Sequence, residues 1–122
     1  MASDMQGVRI PMKEATFNGE PTGEKSKFEP SRWPSAPGEY VGPVFGYTGD
    51  KPAVFFLKPN ARDEGVTARA RSVQHVVSPP HVFTEETDGT LTITASISDL
   101  AGADTVSDGW HGYLTRGEWH RA

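Results

Sequence analysis

Residues 90–97 constrain this chain more than any other stretch. Thr90, Thr92, Thr94 and Ser96 alternate with Leu91, Ile93, Ala95 and Ile97, a period of two that suits a strand with one wet and one dry face. The run before it, "HVFTEETDG", supplies a partner strand and a turn, and the turn admits two registers. A two-residue Asp88-Gly89 loop sets Phe83 opposite Thr94, among hydroxyls. A three-residue loop, Thr87-Asp88-Gly89 with Gly89 left-handed, sets Phe83 opposite Ile93 and His81 opposite Ala95. A slip of one residue exchanges the faces, so the apolar pattern selects the second register. His81 then lies on the inward face, where a single histidine reads as a core residue rather than a ligand.

The same reasoning applies to the ending, "SDGWHGYLTRGEWHRA". With Arg116-Gly117 as a two-residue loop, Leu114 opposes Trp119 and Tyr113 opposes His120. Trp110, Leu114 and Trp119 share one face, the expected core side. His111, Tyr113 and His120 gather on the other. Further upstream, "YVGPVFGYTGDKPAVFFLKP" holds two apolar runs around a turn built from Gly49, Asp50 and Pro52. Val54, Phe55, Phe56 and Leu57 are consecutive, so a strand there is expected to be central and covered on both faces. "VQHVVSPPHVF" reads as strand on either side of a break at Pro79–Pro80. Residues 40–122 are therefore expected to form a small antiparallel β-sheet domain, a sandwich or a partly open barrel, and the fold class is mainly β.

Residues 1–39 read differently. Their large apolar residues are scattered (Val8, Ile10, Phe17, Phe28, Trp33), and Pro21, Pro30, Pro34 and Pro37 each remove an amide donor. No apolar period survives, and the segment alone buries too little to offset the cost of ordering its backbone. The expectation is an extended, Pro/Gly-rich arm that becomes fixed on a partner, with Phe17, Phe28 and Trp33 as anchors. With Gly 13, Pro 10 and only 35% hydrophobic residues, the whole chain suits short strands and turns better than long helices.

Charge and cysteine usage narrow the function classes. A net charge of -4 argues against a nucleic-acid binder working through overall charge. No apolar run approaches the roughly 20 residues of a membrane span, and the start lacks the apolar core of a signal peptide. With Cys 0 there is no disulfide, no thiolate zinc site and no cysteine nucleophile, and synthesis in a cytoplasm is expected. His75, His81, His111 and His120 show no H-x-H, H-x-x-x-H or H-E-x-x-H spacing, so a metal site gains little support. Ser107 or Asp108 beside His111 could be imagined in a hydrolase, but no nucleophile elbow or phosphate loop accompanies them. Arg69 and Arg71 read as solvated surface. The reading favoured for His111, Tyr113 and His120 is an interface face, since such rings combine contact area with a polar edge.

The run "HVFTEETDGTLTITASIS…DGWHGYLTRGEW" resembles a group of small phage-encoded proteins of undefined function. That group carries an F-x-x-x-x-D-G-T-L-x-I-x-x-S-I hairpin and a W-H-G-[FY]-L-x-x-G-x-W ending. The matching positions are Phe83, Asp88, Gly89, Thr90, Leu91, Ile93, Ser96, Ile97, Trp110, His111, Gly112, Tyr113, Leu114, Gly117 and Trp119, all in about the last third of the chain. The motif is mostly turn and core chemistry, so the resemblance implies a fold and a phage setting. It carries over no catalytic residue, and without the cysteines such proteins often have before the hairpin it carries over no metal site.

The sequence expectation is thus a virion structural protein and not an enzyme, with no cofactor. The specific form is a capsid decoration or minor capsid protein, present in many symmetric copies or as a homo-oligomer, on the capsid surface. Its partners would be the major capsid protein or other virion subunits, with no nucleic acid and no membrane. The arm would bridge capsid subunits. The alternative is a phage protein outside the particle that binds a small ligand or a host factor.

Overall fold

The computed structural model describes residues 5–59, 73–98 and 110–122, and these form strands and no helix. In chain order they are β1 (Met5–Gln6), β2 (Val8–Ile10), β3 (Met12–Phe17), β4 (Glu20–Pro30), β5 (Glu39–Val44), β6 (Ala53–Phe56), β7 (Gln74–Val77), β8 (Val82–Glu85), β9 (Leu91–Ser98), β10 (His111–Thr115) and β11 (Glu118–Arg121). A five-stranded sheet has the order β1-β11-β10-β9-β8, and a four-stranded sheet the order β2-β5-β6-β7. β3 and β4 form a two-stranded hairpin of their own. Neither large sheet closes into a barrel, and the pairing of β2 with β5 is parallel.

Alternation decides which side chains meet between the two large sheets. Tyr40, Val54 and Phe56 from the four-stranded sheet join Leu91, Ile93, Ile97, Trp110, Leu114 and Trp119 in one buried cluster. Trp119 is wholly enclosed, with ring centroids 6.2 Å from Tyr40, 5.6 Å from Phe56 and 5.5 Å from Trp110. Its indole N–H donates to Gly38 O at 2.8 Å, tying the last strand to the loop before β5. Buried indoles keep such a partner because an unmet N–H is costly away from water.

The two registers read from the sequence are present. Phe83 pairs with Ile93 across β8 and β9, and Glu86 and Thr90 close a three-residue loop in which Gly89 has φ +85°. Only glycine takes that conformation without strain. Leu114 pairs with Trp119 and Tyr113 with His120, and Arg116 and Gly117 both take positive φ at the turn. Between Gly112 and Leu114 the pairing with β9 shifts, and Ala95, at φ 74°, sits in the bulge. A Cβ on Gly112 would lie 2.1 Å from His120 O and 2.4 Å from the Trp110 ring, so the strand can pass there only as glycine. β6 lies inside its sheet as expected, with Ala53, Val54 and Phe56 buried.

The first thirty-nine residues contribute four strands. β1 pairs with β11, Gly7 N donates to Gly117 O at 2.7 Å, and β2 then pairs with β5 in the opposite sheet. Backbone hydrogen bonds do most of this, since Gln6 and Val8 are exposed and only Ile10 is buried. Arg9 on β2 reaches the other sheet's edge. Its guanidinium forms a two-pronged pair with Glu85 on β8 (Nη1 to Oε2 2.7 Å) and donates to Gly42 O at 2.6 Å and Gly89 O at 3.1 Å. The β3–β4 hairpin leans on β5 through β4, Phe45 N donates to Lys27 O at 2.8 Å, and Met12, Ala15, Ser26 and Pro30 are its half-buried residues.

Candidate functional site

Two features of the surface stand apart from ordinary solvated strand, an exposed hairpin and an aromatic hollow. The hairpin turns at Asn18-Gly19, both with positive φ. Beyond the turn its pairing shifts twice, and polar side chains take up the backbone groups freed by the bulges. Thr22 Oγ1 donates to Ala15 O at 2.9 Å and accepts from Glu24 N at 3.2 Å. Ser26 Oγ accepts from Phe28 N at 3.0 Å and Glu29 N at 3.1 Å. Local side-chain bonding of this kind orders a strand pair that has little apolar surface to bury. Phe17, beside the turn, is 72% exposed and Phe28 is 59% exposed.

Trp33 has a different setting from the other two expected anchors. It lies on the outer face of the chain's own four-stranded sheet, with its ring centroid 4.9 Å from Phe55 of β6 and 5.2 Å from Tyr47 in the β5–β6 turn. Tyr47 and Phe55 are 5.9 Å apart, and all three ring pairs are close to perpendicular, at 84°, 80° and 78°. His75, opposite Phe55 on β7, extends the group with a centroid distance of 5.2 Å. Trp33, Pro34, Tyr47, Phe55 and Val73 wall a hollow of about 330 Å³. Trp33 remains 39% exposed and Tyr47 57% exposed.

The loop that carries Trp33 is fixed from below by Glu39. Its carboxylate accepts from Arg32 Nη1 at 2.8 Å and Nη2 at 2.6 Å, from Ser35 N at 2.8 Å and from Ala36 N at 3.0 Å. The Arg32 guanidinium, helped by the two backbone amides, holds this carboxyl down at about 2 against the opposition of burial. With the Ser35 hydroxyl at 3.3 Å as a fifth donor, this buried carboxylate is a rigid peg. Sequence reading missed it because Arg32, Ser35 and Glu39 carry no recognisable spacing. It missed Tyr47 and Phe55 as partners of Trp33 because β5–β6 pairing, not chain proximity, brings them together.

His111, Tyr113 and His120 do share the outward face of the five-stranded sheet, with Tyr113 and His120 directly paired. His111 and Tyr113 are exposed and His120 is half-buried. His81 is half-buried, with Nε2 3.1 Å from Ser96 O. A carbonyl only accepts, so that nitrogen carries the proton. Among the described residues no three His, Asp or Glu come together as a metal-binding group. Arg69, Arg71, Ser107 and Asp108 lie outside the described residues. No protein-family model, curated protein or solved structure matches this chain.

Proposed function

We propose that this chain is a structural accessory of a phage particle, a capsid decoration protein that attaches through the β3–β4 hairpin. The observation that carries the reading is the pair of phenylalanines, Phe17 and Phe28, held out on a hairpin that buries almost none of its own apolar surface. Large rings presented on an ordered backbone lose little entropy when they enter a partner's pocket. The phage setting rests on the resemblance of the C-terminal third. Many copies, each adding an interface of ordinary size, roughly 1,600 Å², would brace the joints between shell subunits. The outward face with His111, Tyr113 and His120 is a second contact candidate, toward a neighbouring copy.

The test is quantitative mass spectrometry of purified particles beside a deletion of residues 13–29. Many copies per particle are expected for the intact chain. The deleted chain should keep its β circular-dichroism signal yet fail to attach. Attachment that survives the deletion, or particles free of the protein, would overturn the reading. The second reading, a phage protein outside the particle that binds a ligand or host factor, has one observation in its favour, the hollow beside Trp33.

A further inference from the structure

We infer that the hollow walled by Trp33, Pro34, Tyr47, Phe55 and Val73 is a docking site for a proline-rich segment of a partner protein in the polyproline II conformation. This goes beyond the particle reading and does not rest on it.

Three properties of the site select that ligand. The first is shape. The perpendicular rings give a floor and upright walls, and a hollow of about 330 Å³ takes roughly one turn of a polyproline helix, three residues rising about 9 Å. The second is polarity. The side-chain polar groups of the lining are the Trp33 indole N–H and the Tyr47 hydroxyl, and neither hydrogen-bonds to another described residue. Both can donate, and among the described residues of the wall there is no carboxylate or side-chain amide to accept. A proline-rich strand is the complementary partner, offering carbonyl acceptors along an apolar surface with few N–H groups of its own. A saccharide brings many hydroxyl donors, for which the described side chains of the wall offer no carboxylate or amide acceptor. An alkylammonium needs ring faces spread around it, whereas these rings already touch edge to face at centroid distances of 4.9–5.9 Å.

The third property is preorganisation. Trp33 is held by a loop pinned at both ends, by Arg32 and the Ser35 and Ala36 amides on Glu39 and by Ser31 N on Pro11 O at 3.0 Å. The ring is in place before the ligand arrives, and a polyproline helix is itself stiff, so neither side gives up much freedom on docking.

The test titrates the full chain with a dye-labelled decaproline peptide, with a Gly-Ser decapeptide and maltohexaose as controls. Trp110 and Trp119 are 3% and 0% exposed, so a change in tryptophan emission on binding reports Trp33. Decaproline should bind with a dissociation constant of tens to hundreds of micromolar and the controls should not. Trp33→Ala should weaken binding at least tenfold. Tyr47→Phe keeps the ring and should weaken it about three- to tenfold through the lost hydroxyl. Both variants should melt within a few degrees of the parent. Equal binding of the Gly-Ser peptide, preference for maltohexaose, no binding of decaproline, or binding indifferent to both substitutions would each overturn the assignment. None of these results bears on attachment to particles, so the two proposals fail separately.

Discussion

The molecule contains two hairpins with the same kind of turn and opposite fates. Asn18-Gly19 and Arg116-Gly117 both place consecutive residues at positive φ, the geometry that matches the twist of paired strands. After Arg116-Gly117 the pairing runs without a slip from Thr115–Glu118 to Gly112–Arg121, and Leu114 and Trp119 are sealed between the sheets. After Asn18-Gly19 it slips twice, and Phe17 and Phe28 stay in water. The turn therefore sets the direction of the chain but not its burial. Burial follows from strict alternation, which keeps every apolar side chain on one face. A bulged strand scatters its side chains and has to be ordered by its own hydroxyls and carboxylates. That difference leaves one hairpin to hold the fold and the other free to hold something else.

The comparison predicts its largest effect at Trp119. Trp119→Ala removes a fully enclosed ring, three aromatic contacts and the bond to Gly38 O. A loss of about 3–5 kcal/mol is expected in urea unfolding, enough to unfold a domain of this size in part at room temperature. A loss under about 1 kcal/mol would mean that the β10–β11 hairpin does not hold the fold together.

The next effect lies where the two regions join. Glu39 holds the loop between β4 and β5, and its carboxyl is pulled from the ordinary range near 4.5 to about 2. Because the folded-state value is depressed, the stabilisation is complete above about pH 4.5 and drains away as pH falls toward 2. Arg32 is half-exposed and partly screened, so roughly 2 kcal/mol is a fair size for it. Glu39→Gln should cost about this much at pH 7 and flatten the acid limb of the stability curve. Glu85, lowered by its bond to Arg9, leaves a smaller acid dependence behind. An unchanged acid limb in E39Q would show that the loop is held some other way.

What could be read from the chain follows the same division. The β8–β9 and β10–β11 registers were legible down to single pairs because one-residue slips there cost an entire face. The central placement of β6 followed from four consecutive apolar residues. The hairpin was not legible, although Asn18-Gly19 is the strongest short hairpin signal in the sequence. Its flanks, "EATF" and "EPTGEKSKF", show no alternation because two bulges break the phase, so the sequence alone reads as an extended arm awaiting a partner. β1 and β2 were missed for another reason. They are edge strands two and three residues long, held by backbone bonds that leave almost no trace in side-chain pattern. The hollow was half visible: Trp33 stood out as an anchor, but its neighbours Tyr47 and Phe55 arrive by sheet pairing, which a single sequence does not announce.

The smallest effect is the sharpest test of the comparison. Phe17 is nearly three-quarters exposed beside the turn, so Phe17→Ala should change the stability of the free protein by no more than about 0.5 kcal/mol, where Trp119→Ala changes it severalfold more. Hydrogen exchange on the parent protein should tell the same story. Amides of β3 and β4 should open with low local free energies, while those of β10 and β11 exchange only near global unfolding. The two measurements are linked, since a hairpin that opens easily without disturbing the core is also one whose surface residues contribute nothing to it. Protection of β3–β4 equal to that of β10–β11 would erase the distinction. It would mean that the polar bonds of Thr22, Ser26 and Glu14 support a strand pair as firmly as a buried tryptophan does, and that Phe17 and Phe28 are exposed for reasons unrelated to docking.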